Sequence, residues 1–166
     1  LKNTLMSGNY QVTIENPATG EKLTRNVEIT PRFMGNDVVI DYTYSGTYRV
    51  QVYADNGQVA GAGESVVITI NGISKTVKTN AKGYATLKVS NLLPKIYSIT
   101  AEYKGVKTSN NVVVKQILKA KNKKFKRYKA KKYTATLKTS AGKAIKGKKI
   151  TFKIKGKTYK AKTNKK

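Results

Sequence analysis

The carboxyl-terminal third of the chain is a concentrated source of positive charge. Residues 116–166 contain 21 basic side chains and no acidic ones, whereas residues 48–115 have nine basic and three acidic groups. Most of the net charge of +26 therefore lies in the last third. A charge this concentrated predicts contact with a polyanion. The lysines that we expect to make the contact, as a collective field, are Lys146, Lys148, Lys149, Lys153, Lys155, Lys157, Lys160 and Lys162.

The type of cation bears on the type of polyanion. Only four of the 34 basic residues are arginine. The planar arginine fork suits base-edge and bidentate phosphate recognition, whereas lysine is a hydrated point charge suited to non-specific ionic contact. The composition therefore favours an anionic cell-wall or surface polymer over nucleic acid. Nucleic-acid binding is the main alternative, and a charged but inert extracellular spacer is the second.

Nucleic-acid binding would need aromatic side chains that stack on bases. Tyr133 and Tyr159 have the phase of core residues in predicted strands, so we interpret them as core rather than as stacking platforms. Residues 119–132 are open to two interpretations, a first strand anchored by Phe125 and Tyr128 or, in part, a linker. The aromatic residues near the lysines are Phe125, Tyr128, Tyr133 and Tyr159.

Catalytic and metal-binding chemistry has few side chains to use. The sequence contains neither Cys nor His, which are common nucleophiles, general bases and metal ligands. The eight carboxylates form no spaced cluster typical of a metal site or a glycosidase pair. Asp37 and Asp41 come nearest to a calcium pair, but a turn and a strand edge explain them better. The sequence predicts neither an enzyme nor a bound cofactor or metal.

One covalent reaction fits a chain of small β-domains. A buried lysine and an asparagine can condense to an isopeptide bond with the help of a carboxylate, if burial shifts the pKa of the amine. The candidates for it are a lysine such as Lys75 with Asn110 or Asn111, assisted by Glu102. Solvated strand residues are the simpler interpretation of the same side chains.

Short strand patterns fill residues 38–114. Seven runs rich in β-branched and aromatic residues follow one another at roughly 8–12-residue spacing, as in an immunoglobulin-like sandwich. Asn71-Gly72 is a strong hairpin signal, because both positions tolerate positive φ. We predict an all-β chain of tandem immunoglobulin-like β-sandwich domains, with no helix longer than one or two turns. The seven runs are 38–44, 48–54, 66–70, 74–78, 85–89, 97–103 and 111–114.

The chain repeats itself with a period near 85 residues. Residues 48–82 align with residues 133–166, in which Phe152 and Ile154 alternate with lysines as in a strand with one apolar face. Gly57 and Gly142 lie 85 positions apart but later matches lie 84 apart, so one deletion in the intervening loop aligns the copies. A period of this size is a domain rather than a solenoid turn.

The two ends of the chain extend the repeat. Residues 9–29 parallel residues 96–114, and the chain begins at Leu1, which predicts an excerpt of a longer protein. Early strands at one end and late strands at the other also suggest strand donation between neighbouring copies, a less favoured hypothesis. The predicted domains are the late part of one repeat (1–29), a complete immunoglobulin-like domain (30–115) and the early part of a lysine-rich repeat (116–166).

Several segments resemble known surface proteins. TNAKGYATLKV (79–89) and LLPKIYSITAEYKG (92–105) resemble the repeat signature of bacterial and archaeal immunoglobulin-like domains. NYQVTIENPATGEKL (9–23) and the lysine-rich 131–166 are similar to adhesin-like surface proteins of methanogenic archaea. The resemblance implies an extracellular place at the cell surface or wall, a stalk of tandem repeats, and lysine-rich modules associated with the wall.

The resemblance also bears on partners. The predicted partners are an anionic wall or surface polymer and, beyond it, neighbouring copies or other surface proteins. The resemblance supplies wall association and no catalytic residue. The sequence has no run of 18 apolar residues, so no membrane span is predicted in this segment. It has no visible signal peptide either, so the sequence by itself does not establish export.

Overall fold

The structure is a computed structural model that describes residues 7–129 and 132–165. The described residues form strands and turns without any helix, and so no helix among them could span a membrane. The strands are β1 (Gly8–Glu15), β2 (Lys22–Ile29), β3 (Phe33–Gly35), β4 (Val38–Asp41), β5 (Gly46–Val52), β6 (Ser65–Ile70), β7 (Ile73–Lys78), β8 (Tyr84–Val89), β9 (Ile96–Tyr103), β10 (Val106–Lys115), β11 (Leu118–Ala120), β12 (Ala135–Leu137), β13 (Lys149–Ile154) and β14 (Lys157–Lys162).

The strands form sheets in a sandwich-like arrangement. One sheet has the order β3-β5-β8 and a larger one the order β4-β10-β9-β6-β7. The pairs β1–β2, β11–β12 and β13–β14 form two-stranded sheets. The predicted fold class, all-β and immunoglobulin-like, is confirmed.

The chain forms two compact units. Unit 1 holds the described residues of Leu1–Val38, Thr47–Lys88 and Ser98–Asn111. Unit 2 holds those of Val39–Gly46, Val89–Tyr97 and Val112–Lys166. Each unit has buried apolar side chains that alternate along its strands, which is the period-two pattern of sheets with one covered face. They include Tyr48, Val50, Val66, Ile68 and Ile99 in unit 1, and Ile40, Tyr97, Val112, Val114 and Ile117 in unit 2.

Two-residue turns join β6 to β7 and β13 to β14. Asn71 and Gly72 have φ of 50° and 76° and connect β6 to β7, so the hairpin predicted there is confirmed. Lys155 and Gly156 have φ of 44° and 74° and connect β13 to β14 in the same way. A lysine with positive φ is strained, whereas asparagine and glycine tolerate this conformation.

Strand pairs that are related by the sequence period have the same register. Phe33 opposes Val52 in β3–β5, and Leu118 opposes Leu137, each 85 positions later, in β11–β12. The β6–β7 and β13–β14 pairs also share a register, now at an offset of 84. The early strands of the lysine-rich segment thus have the pairing found in the central segment.

The spacing between equivalent residues of the two copies changes from 85 to 84 at one position. The Ala60 N–H donates to β5, and the Gly61 carbonyl accepts from the Thr79 hydroxyl. Ile145 makes both bonds with one residue, because its N–H donates to β12 and its carbonyl accepts from the Thr163 hydroxyl. The single deletion inferred from the sequence therefore replaces Ala60-Gly61 with Ile145.

For residues 119–132, the sequence allowed a first strand anchored by Phe125 and Tyr128 or, in part, a linker. A strand is present as β11, but it ends at Ala120, before Phe125 and Tyr128. Tyr128 lies in a turn with φ of 60° and is 88% exposed. The interpretation of these two aromatic residues as anchors of a first strand is wrong, and residues 130 and 131 of the predicted stretch lie outside the described residues.

Candidate polyanion-binding surface

The β13–β14 hairpin places polar and apolar side chains on opposite faces. Successive side chains of a strand point to opposite faces, and directly opposed residues of an antiparallel pair share a face. On one face the register sets Lys149, Thr151 and Lys153 against Lys162, Lys160 and Thr158. We call its four cations the lysine face: Lys149, Lys153, Lys160 and Lys162.

The lysine face is exposed and uncompensated. All four side chains are exposed, and no ion pair between described residues involves them. Lys149 and Lys162 directly oppose each other, which puts their Cβ atoms about 4.5–5.5 Å apart. Lysines two positions apart on a strand are spaced by about 7 Å. Like charges at these distances repel one another, and a bound polyanion would relieve that repulsion.

The other four predicted lysines lie elsewhere on the hairpin or before it. Lys146 and Lys148 are in the loop that precedes β13, and Lys155 is in the turn. Lys157 opposes Ile154, so its side chain is on the apolar face rather than the lysine face. The structure thus brings together four of the eight predicted side chains on one face.

Two threonines that lie on the lysine face were not among the predicted site residues. Thr151 opposes Lys160, and Thr158 opposes Lys153, so each hydroxyl lies beside a cation and can donate a hydrogen bond to an anion. The Lys155-Gly156 turn could have predicted their position, because a two-residue turn fixes the register of both strands and so determines which residues share a face.

The aromatic side chains of the β13–β14 hairpin lie on the face opposite the lysine face. Phe152 and Tyr159 oppose each other, and the Tyr133 ring meets Phe152 edge-on, with the ring centres 6.0 Å apart at 87°. The Tyr133 hydroxyl donates to the Lys121 carbonyl at 2.9 Å. Tyr133 and Tyr159 have the predicted apolar phase, but they are 44% and 55% exposed and so do not form a closed core.

A buried polar cluster in unit 1 involves one of the proposed isopeptide partners. The buried Tyr48 hydroxyl donates to Oδ1 of Asn110 at 2.9 Å, and Nδ2 of Asn110 donates to the Gly35 carbonyl at 3.3 Å. Burial, with a smaller contribution from the Asp37 carboxylate, raises the pKa of Tyr48 to about 12. These contacts use both ends of the Asn110 amide and give it a structural role.

The structure does not bring the predicted isopeptide partners together. Lys75 is exposed on β7, and two strands, β6 and β9, separate β7 from β10, which carries Asn110 and Asn111. Glu102, the proposed helper, forms an ion pair with Lys107 at 3.3 Å. The predicted pairing of Lys75 with either asparagine is therefore wrong, because strand order rather than sequence spacing decides which side chains meet.

Asp37 and Asp41 act in separate hydrogen bonds. The Asp37 carboxylate accepts from the Asn111 N–H at 2.8 Å, which holds its pKa below the ordinary value. The Asp41 carboxylate accepts from the Ser140 N–H at 3.0 and 3.1 Å. Within residues 7–129 and 132–165, no three acidic, His or Cys side chains come close enough to hold a metal ion.

No family model and no curated protein matches the chain. Among solved structures it is similar to domains 4 and 5 of the S-layer protein SbsC, with 12% identity, a TM-score of 0.36 and 67% of each chain covered. It is also similar to Bacteroides ovatus SGBP-B, solved with a mixed-linkage heptasaccharide, with 14% identity and a TM-score of 0.34 over 70% of this chain and 31% of that one. A carbohydrate acetylesterase from Xanthomonas citri shares 15% identity with a TM-score of 0.34, over 46% of this chain and 16% of the other.

Proposed function

We propose that the chain is a segment of an adhesin-like protein of the cell surface or cell wall. Its β-domains form a stalk, and the lysine face holds an anionic wall or surface polymer. The observation that carries this proposal is the lysine face itself: four exposed cations on one side of a hairpin, in a segment without a single carboxylate side chain from residue 116 to 166. Such a surface suits a flexible chain of repeated negative charges.

The stalk part of the proposal rests on the recurring strand register. The offset of 84 or 85 residues relates β3–β5 to β11–β12 and β6–β7 to β13–β14. We propose a tandem array with the domain boundaries 1–29, 30–115 and 116–166. Each module contributes length, and the lysine-rich module adds the contact with the polymer.

A wall or surface polymer is favoured over nucleic acid by the position of the aromatic rings of the β13–β14 hairpin. Phe152 and Tyr159 lie on the face opposite the lysine face. Single-stranded nucleic acid is held by cations and stacking rings that act side by side along one groove. Lysines without neighbouring rings match a polymer that offers charge alone.

A charge-matched pair of variants tests the proposal. The first changes the lysine face, as K149E, K153E, K160E and K162E together. The control changes four exposed lysines whose side chains form no hydrogen bond or ion pair with another described residue, as K75E, K82E, K88E and K115E. Each substitution removes two units of charge, so both variants fall from +26 to +18. Circular dichroism establishes that both keep their strands.

The readout is binding to purified cell-wall sacculi and to bulk RNA at physiological salt. We expect the wild-type chain and the control variant to bind sacculi in preference to RNA, and the lysine-face variant to lose sacculus binding. Equal loss of sacculus binding in both variants would mean that binding depends on net charge and not on the lysine face. A preference of the wild-type chain for RNA would overturn the choice of polymer.

A further inference from the structure

A groove in unit 1 lies on the outward face of β5. Side chains alternate along this strand, so that Val50 and Val52 are fully buried and Arg49 points the other way. The groove has a volume of about 480 Å³, within the usual range of small-molecule sites. We call it the Arg49 groove. The residues that line it include Met34, Asn36, Arg49, Gln51, Tyr84 and Thr108.

An aromatic ring holds the Arg49 side chain in this groove. The guanidinium carbon Cζ lies 3.6 Å from the centre of the Tyr84 ring. A cation–π contact uses the face of the guanidinium and leaves its N–H edge able to donate hydrogen bonds. Arg32, by comparison, forms an ion pair with Asp55 and donates to the Tyr53 carbonyl. The Arg49 side chain forms no ion pair and no hydrogen bond with any residue that the structure describes.

The Arg49 groove therefore carries one positive charge without a counter-ion. No aspartate or glutamate is among its described lining residues. The Asn36 amide and the Thr108 hydroxyl form no hydrogen bond with another described residue. Gln51, in contrast, is fixed, because its amide donates to the Lys82 carbonyl at 3.0 Å and accepts from the Tyr53 hydroxyl at 3.2 Å. The groove thus offers one cation and two neutral polar side chains to a ligand.

We propose that the Arg49 groove binds a hexuronic acid unit of an acidic polysaccharide. The sugar carboxylate accepts two parallel hydrogen bonds from the Arg49 guanidinium. The ring hydroxyls exchange hydrogen bonds with the Asn36 amide and the Thr108 hydroxyl. Met34, which is 56% exposed, packs against the carbon-bound hydrogens of the sugar ring. This site is separate from the lysine face, so either site can bind its ligand without the other.

Two other anionic ligands match the Arg49 groove less well. A phosphate monoester carries close to two negative charges at neutral pH, and the groove supplies a single cation. An acidic side chain of a peptide is attached to a flexible chain, which has to be ordered on binding. A hexuronic acid holds its carboxylate and hydroxyls in one rigid ring. It can therefore engage Arg49, Asn36 and Thr108 at a lower cost in conformational entropy.

The equivalent positions of the lysine-rich segment also line a groove. Six of its lining residues lie 85 positions after lining residues of the Arg49 groove. Thr134 takes the place of the arginine, but Lys119 takes the place of Met34 and so supplies a cation. A groove with positive charge therefore recurs at this position of the repeat. The six residues are Leu118, Lys119, Ala120, Lys121, Thr134 and Thr136.

A titration followed by nuclear magnetic resonance tests the proposal on the full chain. The probe is the methyl glycoside of galacturonic acid, which has one carboxylate, and its control is the methyl ester of the same sugar. R49K keeps the positive charge and removes the planar fork. The matched control is R127K, because Cζ of Arg127 also lies over a tyrosine ring, at 4.8 Å from the centre of Tyr128. The readout is the Arg49 Nε–H signal in the wild type and the amide signals of Gln51 and Thr108 in all variants.

We expect the galacturonoside to shift these signals in the wild type, in R127K and in the lysine-face variant. R49K and the methyl ester should each weaken binding about tenfold, as expected when a charge-assisted hydrogen bond is lost. Unchanged affinity in R49K or for the methyl ester would overturn the proposal, as would groove signals that do not move. Loss of the response in the lysine-face variant would contradict a separate site.

Two further probes test the class of ligand. Glycerol phosphate represents a phosphate polymer, and an acetylated and amidated glutamate represents an acidic peptide. Both should shift the signals of the Arg49 groove less than the galacturonoside does at the same concentration. A stronger response to either probe would exclude a sugar acid as the preferred ligand of the groove.

Discussion

Thr79 and Thr163 lie 84 residues apart and make the same set of hydrogen bonds. Each hydroxyl accepts from the N–H of the residue that precedes its hairpin, at 3.0 Å, and donates to a loop carbonyl. Each N–H donates to the carbonyl of that preceding residue at 2.9 Å. Thr79 is 5% exposed, whereas Thr163 is half-buried. The same hydrogen bonds therefore involve a buried threonine at position 79 and a more exposed one at position 163.

The Thr79 hydroxyl should contribute measurably to stability. In T79V the Glu64 N–H and the Gly61 carbonyl lose their hydrogen bonds to a side chain that is 5% exposed, and at about 0.5–1.5 kcal/mol for each bond the loss amounts to about 1–3 kcal/mol. We expect the free energy of unfolding in urea to fall by that amount. T163V should cost less, because Thr163 itself is less buried than Thr79, and T76V, at an exposed threonine on β7, should change little. Equal losses at positions 79 and 163 would contradict the difference in burial.

Gly83 should tolerate no side chain. Its φ is +69°, and a Cβ there would lie 2.6 Å from Cγ1 of Val59 and 3.0 Å from two backbone carbonyl oxygens. G83A should therefore lose about 1–2 kcal/mol from the backbone conformation and a further 1–3 kcal/mol from crowding. G105A has a similar φ of +77° but nothing within 4 Å, so it isolates the backbone cost. Similar urea midpoints for the two variants would argue against the close approach at Gly83.

Tyr48 should make stability depend on pH in the alkaline range. Its pKa in the folded chain is about 12, above the ordinary value of 10.0. Because the folded state favours the protonated phenol, the stabilisation is complete below about pH 10 and is lost as the pH rises toward 12. The advantage of wild type over Y48F in urea unfolding should shrink over this window. An advantage that is constant from pH 9 to 12 would contradict the raised pKa.

The cations of the lysine face should cost stability in the absence of a ligand. Lys162 directly opposes Lys149, and like charges in that position destabilise a strand pair by about 0.2–1 kcal/mol. K162Q should therefore raise the free energy of unfolding at low salt, and the gain should vanish near 1 M salt, where charges are screened within about 3 Å. K157Q is the control, because Lys157 opposes Ile154. A gain that persists in high salt would rule out charge repulsion as its cause.

Much of the fold could be predicted from short sequence patterns, because strand alternation and turn conformation depend on neighbouring residues in the chain. The alternation around Phe152 gave β13, and Asn71-Gly72 gave the β6–β7 turn, since both depend on a few adjacent residues. The three-residue strand β3 was missed, because its pairing with β5 supplies the stability that its own sequence does not.

Only the part of the lysine face that lies within one strand could be predicted from the sequence. Strand alternation predicts that Lys149 and Lys153 share a face, but their grouping with Lys160 and Lys162 depends on the register across the turn. Tyr159 has the apolar phase expected of a core residue yet is 55% exposed, because burial depends on what covers a face and not on the strand alone. Strand order likewise keeps Lys75 away from Asn110.

The most direct test of polymer binding is its salt dependence. Affinity for an anionic wall polymer would be measured from about 50 to 500 mM salt for the wild type, the lysine-face variant and the charge-matched control. Each cation that neutralises a backbone charge contributes about 0.7–0.9 to the slope of log affinity against log salt. We predict that the lysine-face variant loses about 3 from this slope while the control keeps nearly the wild-type value. Equal slopes for the two variants would contradict the assignment of polymer binding to the lysine face.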